Sequence, residues 1–183
     1  MNISEFFQQS AGKWVSQRSS HRLAQNQSEG AKADLMIETL GTADPDLQQL
    51  CQQQGISAPT VGLKITWSNG IVEHNPKPQS GSSLVVAIPD PAQPQQGQII
   101  SRLNRDQPVL GRYELGQDQV LILTSEAEQV TVEERIWFAS ENFRLRTNVI
   151  KRQGSTTLAT FCSEIRMGGK PPADADQTAE VAP

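Results

Sequence analysis

Glu133-Glu134-Arg135-Ile136-Trp137-Phe138-Ala139-Ser140-Glu141-Asn142-Phe143-Arg144-Leu145-Arg146-Thr147 is the stretch of this chain that decides the fold. It reads as two strands joined by a polar turn. Successive side chains of a strand point to opposite faces, so Arg144 and Arg146 share one face. The other face carries Phe143, Leu145 and Thr147. One face of this unit must therefore be charged or hold an anionic ligand.

Similar short extended runs, separated by turn signals, fill the chain after Gly55. Their spacing of roughly 8–12 residues is typical of a sandwich or a barrel. The predicted strands cover residues 61–67, 84–88, 98–103, 111–115, 120–125, 129–139, 143–151 and 156–167. Asn69-Gly70 is a strong hairpin signal, and the Pro-, Gln- and Ser-rich segments 75–83 and 89–97 are predicted to be mobile loops.

The N-terminal third of the chain predicts two short helices and one strand. Ser4 can cap a helix that runs to Gln9, and an extended pattern follows over residues 13–23. Residues 24–34 are polar and are predicted to form a hairpin or loop. Asp44 and Pro45 suit the start of a second helix that ends near Gln54. With roughly eight to ten antiparallel strands and only short helices, an up-and-down β-barrel is the economical way to remove sheet edges.

Composition and charge limit the classes of function. The chain has 183 residues, of which 36% are apolar and 20% charged, as expected for one globular domain. We assign residues 1–169 to that domain and expect residues 170–183 to be a disordered tail. The net charge of -4 gives no general attraction to phosphate backbones or anionic lipid, so neither nucleic acid nor membrane is an expected partner.

Targeting signals and cysteine spacing point to a reducing compartment. Residues 1–14 have no basic segment followed by a long apolar run, and we expect the protein to be cytoplasmic. Cys51 and Cys162 lie far apart, without a CxxC motif and without histidine at metal spacing. We therefore predict no metal site and no disulfide framework, and we expect both thiols to be reduced and buried.

Five blocks of sequence together resemble one protein family. They are Gly12-Lys13-Trp14, the strand block from Trp14 to His21, Asp44-Pro45 with Leu50-Cys51, the stretch 133–147, and the run from Thr160 to Arg166. Gly-x-Trp after a short helix is similar to the lipocalin signature. The set as a whole resembles the S-type phycobiliprotein lyases, the CpcS/CpeS family, over about residues 3–169.

That resemblance implies both a fold and an activity. The fold would be mainly β: a lipocalin-like antiparallel up-and-down barrel of about ten strands, with a short N-terminal helix and one further helix. The activity would be that of a chromophore lyase, which binds a bilin such as phycocyanobilin without covalent attachment. It then transfers the bilin, by a thioether bond, to a cysteine of an apo-phycobiliprotein. The bilin is a substrate, so no tightly bound cofactor is expected, and a homodimer or a complex with a homologous lyase subunit is implied.

A bilin carries two propionates, four pyrrole-type rings and an extended π-system, so its receptor needs cations, a carboxylate and aromatic walls. Arg144 and Arg146 match family positions for bilin binding and are suited to bidentate contacts with propionates. The alternative for this pair is an exposed, solvated position on an edge strand.

The remaining candidate residues lie on three other parts of the sequence. Arg18 shares a face with Trp14 and is predicted to bind the bilin from the barrel interior or rim. His21, on the opposite parity, is a candidate catalytic proton carrier or a surface histidine. Glu134 is the candidate catalytic carboxylate that would accept from pyrrole N–H groups, with a solvated face as its alternative. Trp67 would stack on the tetrapyrrole or belong to the core.

Two further classes of function stay open on the sequence alone. A lipocalin-like carrier would hold a tetrapyrrole or a fatty acid and catalyse nothing. An assembly factor would fill the barrel with its own side chains and use the arginines to dock an acidic partner.

Overall fold

A ten-stranded closed β-barrel is the architecture of this chain in the computed structural model, which describes residues 1–56, 61–69, 79–104 and 106–168. Every strand pairs antiparallel with its neighbour in sequence, and β1 closes the barrel against β10. The expected up-and-down barrel with two helices is thus confirmed. In chain order the elements are α1 (Ile3–Ser10), β1 (Gly12–Arg22), β2 (Gln27–Leu40), α2 (Pro45–Gln53), β3 (Val61–Asn69), β4 (Gln79–Pro89), β5 (Gln96–Leu103), β6 (Val109–Leu115), β7 (Leu121–Ala127), β8 (Val130–Ser140), β9 (Phe143–Arg152) and β10 (Ser155–Met167).

The stretch 133–147 forms the end of β8 and the start of β9, joined at Glu141 and Asn142. Its registers continue across the sheet, because Phe138 pairs with Arg144 and Arg144 pairs with Glu164 of β10. The predicted two-strand unit is therefore correct, and it belongs to a four-strand wall made by β8, β9, β10 and β1. We call this the charged wall.

Two predicted loops are strands in the structure. Residues 27–34, expected to be a hairpin or loop, belong to β2, which pairs with β1 from Gly12↔Ile37 to Arg22↔Gln27. Residues 79–83, placed in a mobile loop, begin β4. Both segments are polar because they lie toward the open end of the barrel, where little apolar surface is buried, and ladder hydrogen bonds hold them instead.

The loop predicted at 89–97 is shorter than expected, since β4 ends at Pro89 and β5 begins at Gln96. Gly70 of the predicted Asn-Gly turn and residues 75–78 lie outside the described residues. Asn69 pairs with Gln79, however, so more than two residues connect β3 and β4 and a two-residue hairpin is wrong. Residues 170–183 of the expected tail also lie outside the described residues.

Helix α1 plugs one end of the barrel. Asn2, rather than the predicted Ser4, caps it through a capping box with Glu5. Phe6 and Phe7 on its buried face join a core that includes Trp14 at the base of the barrel. The Trp14 indole Nε1 donates to the Ser10 carbonyl at 2.9 Å, which fixes the end of the helix to the first strand. The barrel is therefore closed and apolar at this end.

Helix α2 covers part of the outer surface. Leu47, Leu50 and Cys51 pack against outward-facing side chains of β4 and β5, including Val86. The helix approaches so closely that a Cβ on Gly62 would lie 2.4 Å from Leu47. The apolar part of the outer face of β3–β5 is thus buried, and we call this region the covered wall.

No helix among the described residues is both long enough and apolar enough to cross a membrane.

Candidate functional site

A cavity of about 620 Å³ opens beyond the plugged base of the barrel. This volume lies within the roughly 300–1,000 Å³ that is usual for sites enclosing small organic ligands. The side opposite the charged wall carries most of the aliphatic lining, interspersed with hydroxyls such as those of Ser83 and Ser101, and the charged wall contributes arginine and glutamate side chains. Residues that line it include Leu35, Ile65, Val85, Ile99 and Leu123 on the apolar side, and Ser16, Arg18, Glu134, Arg144, Arg146, Asn148 and Cys162 on the polar side.

Glu164 is the centre of the polar side, although the sequence did not single it out. Its carboxylate is fully buried and accepts from the Arg144 Nε at 2.6 Å. Ser16 adds a longer hydrogen bond at 3.4 Å. Arg144 itself is 5% exposed. Strand pairing brings these three side chains into one row, since Ser16, Glu164 and Arg144 occupy consecutive register positions on β1, β10 and β9.

Arg146 lies between two carboxylates. Its Nη1 is 3.3 Å from the Glu134 Oε1, and its Nη2 is 3.3 Å from the Glu164 Oε1. Nη2 also approaches the Cys162 thiol at 3.8 Å. Burial lowers the pKa of Arg146, but the two carboxylates outweigh this, so the pKa lies above its ordinary value. The Nε atom is buried and has no hydrogen-bond partner within the described part of the chain.

Burial has the opposite net result for the pKa of Arg144. Desolvation lowers it below the ordinary arginine value, although the adjacent Glu164 acts in the opposite direction. The Arg144 guanidinium carbon also lies 4.9 Å from the Trp14 ring centroid. Arg144 remains charged at physiological pH because an arginine begins from such a high pKa. It is thus held from two sides by protein groups.

A third arginine supports the base of the site. Arg166 lies over the ring of Trp14, with its guanidinium carbon 4.1 Å from the ring centroid. It donates to the carbonyls of Gln9 and Ala11, where α1 meets β1. The pKa of Arg166 is lowered by burial and then by the neighbouring Arg144. This arginine therefore ties the plug to the charged wall.

The four ion-paired residues that face the cavity carry no net charge. Arg144 and Arg146 contribute two positive charges, and Glu134 and Glu164 contribute two negative ones. The anion that faces Arg144 is thus a side chain of the protein itself. Arg18 lines the same cavity but is exposed, and its guanidinium has no ion-pair partner among residues 1–56, 61–69, 79–104 and 106–168. It is a cation available to a ligand at the rim, as is Lys32, which also lines the cavity and is exposed.

Trp67 lies on the opposite side of the cavity and is partly exposed. It pairs with Leu35 on one neighbouring strand and with Gly81 on the other. A Cβ on Gly81 would come within 2.5 Å of the Trp67 ring. The absence of a side chain at this position therefore allows the ring to lie flat against β4.

Five of the six predicted site residues line the cavity, namely Arg18, Trp67, Glu134, Arg144 and Arg146. His21 does not. It is exposed near the end of β1, and its Nδ1 is 2.8 Å from the Ser28 hydroxyl. The two cysteines are free and buried, as expected. Cys162 lines the cavity, whereas Cys51 packs beneath α2, where burial raises its pKa.

Parity alone did not point to Glu164, and the pairing of strands in the structure explains why it lies inside. In the run 160–166, Cys162, Glu164 and Arg166 share one parity, while Phe161 and Ile165 share the other. Ordinary patterning would turn the apolar residues inward. The tryptophan of β1, which is inward, pairs with Arg166 and so fixes the charged set inside.

Comparisons with known proteins agree with the geometry. The family model described as "CpeS-like protein" matches residues 2–167. The chain is 42% identical to a chromophore lyase CpcS/CpeS of Thermosynechococcus vestitus, over 95% of this chain and 97% of the relative. It is 36% identical to the phycocyanobilin lyase subunit CpcS of a Picosynechococcus, over 91% and 87%.

A solved structure shares the fold as well. The S-type phycobiliprotein lyase CPES of Guillardia theta superposes with a TM-score of 0.80 at 27% identity, over 93% of this chain and 95% of that one. Its agreement extends over nearly the whole barrel. From the family model, the curated relatives and this structure, the chain belongs to the CpcS/CpeS family of S-type chromophore lyases.

Proposed function

We propose that this chain binds an open-chain bilin of the phycocyanobilin type in its barrel and attaches it by a thioether bond to a cysteine of an apo-phycobiliprotein. Membership of a family of chromophore lyases supports this activity. So does the name of one relative, a phycocyanobilin lyase subunit. The bilin acts as substrate, and the mechanism uses no tightly bound cofactor.

The observation that carries the proposal is the position of Arg146. It lines the cavity between Glu134 and Glu164 and keeps one buried donor, Nε, without a partner in the described residues. A bilin offers what this arrangement lacks, since propionate oxygens accept from a guanidinium and pyrrole N–H groups donate to a carboxylate. Arg146 therefore takes a propionate, and Glu134 turns toward the ring nitrogens.

Arg18 and Trp67 complete the binding site in this proposal. Arg18, exposed at the rim, takes the second propionate. Trp67 stacks on one ring of the tetrapyrrole from the apolar side. Arg144, although predicted as a direct ligand, is already engaged by Glu164 and contributes by holding that carboxylate in place. Of the two arginines predicted to bind the bilin, Arg146 is therefore the direct ligand in this proposal.

The reaction needs no nucleophile from this chain. The thiol of the acceptor cysteine adds across the ethylidene double bond of ring A, so that one C–S bond forms and the thiol proton ends on the bilin. No group leaves and no oxidant is consumed. The contribution of the barrel is to hold one bilin conformer and to exclude water around it.

Proton transfer is assigned to the two predicted catalytic residues. Glu134 lies within the cavity, where it can hold a proton shared with the pyrrole nitrogens. His21 lies outside the cavity on the exposed surface, so its proposed role is toward the acceptor thiol rather than toward the bilin.

Two mixing experiments test this function. The purified chain is first titrated with phycocyanobilin, and an absorbance change is expected on binding. Apo-phycobiliprotein is then added, and an adduct on the acceptor that survives denaturation is expected. Arg146→Gln should weaken bilin binding by at least tenfold. Arg135→Gln, on the outer side of β8, is the matched control and should leave it unchanged.

The outcomes separate the other two functions. A spectral change without an adduct would identify a carrier that catalyses nothing. No spectral change at all would leave an assembly factor that binds no bilin. Either result would contradict the proposed lyase activity.

The expected setting is the cytoplasm, and the expected assembly is a homodimer or a complex with a homologous lyase subunit.

A further inference from the structure

A second, smaller hollow lies at the open end of the charged wall. Its volume is about 390 Å³, and none of its lining residues also lines the larger cavity. Part of its lining comes from the short 3₁₀ turn Leu23–Gln25, which connects β1 to β2. The residues that line it are Arg22, Ala24, Gln25, Ile150, Arg152, Thr157 and Leu158. We call it the rim hollow.

Strand alternation turns the two arginines of the rim hollow toward the barrel interior. Arg152 of β9 has the parity of Arg146, and Arg22 of β1 has the parity of Arg18. Arg146 and Arg18 line the cavity. Arg152 and Arg22 therefore continue the same inner face toward the open end, where both are exposed.

The floor between these arginines is apolar, and its backbone is fixed. Leu158 of β10 pairs with Ile150 of β9 on one side and with Arg22 of β1 on the other. The register of β9 and β10 shifts at Thr157, whose hydroxyl donates to the Ile150 carbonyl at 3.1 Å. A bulge of this kind redirects the side chains beside it. The rim hollow is thus shaped by a defined irregularity of the sheet.

The arginines of the rim hollow remain available to an anion. Arg152 has no ion-pair partner in the part of the chain that the structure describes. Arg22 comes no closer than 3.9 Å to Glu29, and both side chains are about half exposed. An ion pair of this kind contributes little. In a chain whose net charge is -4, the rim hollow is a local positive site.

The propionates of a bound bilin do not reach this site. Arg18 and Arg146 lie in one row of the register with Cys162 between them, two strand spacings or roughly 10 Å apart. Arg152 lies roughly 20 Å beyond Arg146 along β9, and Arg22 lies roughly 13 Å beyond Arg18 along β1. A bilin held by Arg146 and Arg18 leaves the outer arginines unoccupied. Their anion therefore comes from another molecule.

The rim on the other side of the mouth is apolar. Around the barrel, β5 lies five places from β10 in either direction. Leu103 at the end of β5 and Val109 at the start of β6 are 50% and 45% exposed. Leu103 lines the cavity, and Val109 pairs with Ser101, which lines it too. A protein that closes over the mouth thus meets apolar side chains on one side and arginines on the other.

We propose that the rim hollow binds a carboxylate side chain of the acceptor protein, close to the cysteine that receives the bilin. This inference rests on the proposed transfer function and specifies where its protein substrate is held. A guanidinium binds a carboxylate through two parallel hydrogen bonds, and charges at a rim chiefly raise the rate of encounter and fix orientation. The acceptor presents an acidic residue toward β9 and β1 and an apolar one toward β5 and β6, with its thiol over the cavity between them.

Binding of apo-phycobiliprotein to the bilin-free chain tests the proposal. Biolayer interferometry measures the affinity at salt concentrations of roughly 50 and 500 mM. The double variant Arg22→Gln with Arg152→Gln should bind about fivefold more weakly at the lower salt concentration and lose most of the salt dependence. The matched control, Arg112→Gln with Arg135→Gln, removes two exposed positive charges from the outer faces of β6 and β8 and should bind like the wild type.

Titration of the same variants with phycocyanobilin separates the rim hollow from the bilin site. The double variant should bind the bilin like the wild type, and a loss of bilin affinity would assign the hollow to a propionate and overturn the proposal. Unchanged acceptor binding by the double variant would overturn it as well, as would an equal loss in the control. Far-UV circular dichroism first establishes that each variant is folded. A wild-type chain that binds the acceptor through these arginines but forms no adduct would contradict the lyase activity and still support the docking site.

Discussion

The charged wall and the covered wall build opposite surfaces from the same kind of strand. On the charged wall, the inner face carries arginines and glutamates, and the outer face carries exposed phenylalanine, isoleucine and methionine. On the covered wall, apolar side chains occupy both faces, with the inner ones in the core and the outer ones beneath α2. The covered wall thus gains hydrophobic stabilisation from both faces. The charged wall gains less, because its inner face carries the charged side chains of the site.

This difference separates stability from function within one barrel. A buried ion-pair cluster stabilises little relative to apolar packing, but removing one member leaves a charge without compensation. The charged wall is consequently sensitive to single changes, and its sensitivity is concentrated at Glu164. Changes on the outer face of the covered wall, beneath α2, should lower stability while leaving bilin binding intact.

The largest effect is expected from Glu164→Ala. Because Arg144 is 5% exposed and would lose its carboxylate partner, the free energy of unfolding should fall by about 3–5 kcal/mol. Urea unfolding monitored by circular dichroism measures this change. The double variant Glu164→Leu with Arg144→Leu should recover most of the loss, since no buried charge remains in that pair. A loss below about 1 kcal/mol in the single variant would show that Arg144 finds another partner.

A comparable but smaller loss is expected from Leu50→Ala on the covered wall. Leu50 is completely buried between α2 and the barrel, and truncation should cost about 3 kcal/mol. The bilin titration should be unchanged, because Leu50 does not line the cavity. Weakened bilin binding in a folded Leu50→Ala protein would show that the two walls are coupled.

Gly81→Ala changes the apolar side of the cavity rather than its charged side. The new Cβ would meet the Trp67 ring at 2.5 Å and displace it. Loss of one stacking contact, about 1 kcal/mol, should weaken bilin affinity roughly fivefold in the absorbance titration. Gly30→Ala is the matched control, since its Cβ would make only an ordinary 3.8 Å contact. Equal effects of the two substitutions would argue against stacking by Trp67.

The smallest effect is expected from Ser16→Ala. The Ser16 hydroxyl makes a long 3.4 Å hydrogen bond to Glu164, so its removal should lower the free energy of unfolding by about 0.5–1 kcal/mol. Ser19→Ala, at an exposed position of the same strand, should change it by less than about 0.5 kcal/mol. If both variants unfold at the same urea concentration as the wild type, Arg144 and Arg146 suffice to hold Glu164.

Side-chain alternation was enough to predict much of the barrel and of its site. It placed Arg144 and Arg146 on one face, and it put Arg18 on the face of Trp14, which does line the interior. It could not identify Glu164 as their partner, because that contact joins positions 20 residues apart through the register of β9 and β10. A glutamate read in isolation predicts a solvated position.

The strands that the sequence missed share one property. The first part of β2 and the first part of β4 extend beyond the apolar core, so neither has the hydrophobic alternation that marks a half-buried strand. Their polar residues surround the cavity mouth, and pairing with β1 and β3 keeps them extended. Local pattern does not reveal a strand whose stability comes from its neighbours.

The plug formed by α1 closes the base of the barrel, so that in the part of the chain that the structure describes the cavity is reached from the opposite end. With Trp14 bonded to the end of the helix and Arg166 tying the helix to β10, nothing passes through that end of the barrel. A bilin then enters and leaves through the same end of the barrel. The order in which its rings enter therefore decides which ring lies nearest to the acceptor protein. The ring that goes in last is the one that an acceptor meets first, and the side chains around the mouth therefore decide which end of the pigment is offered.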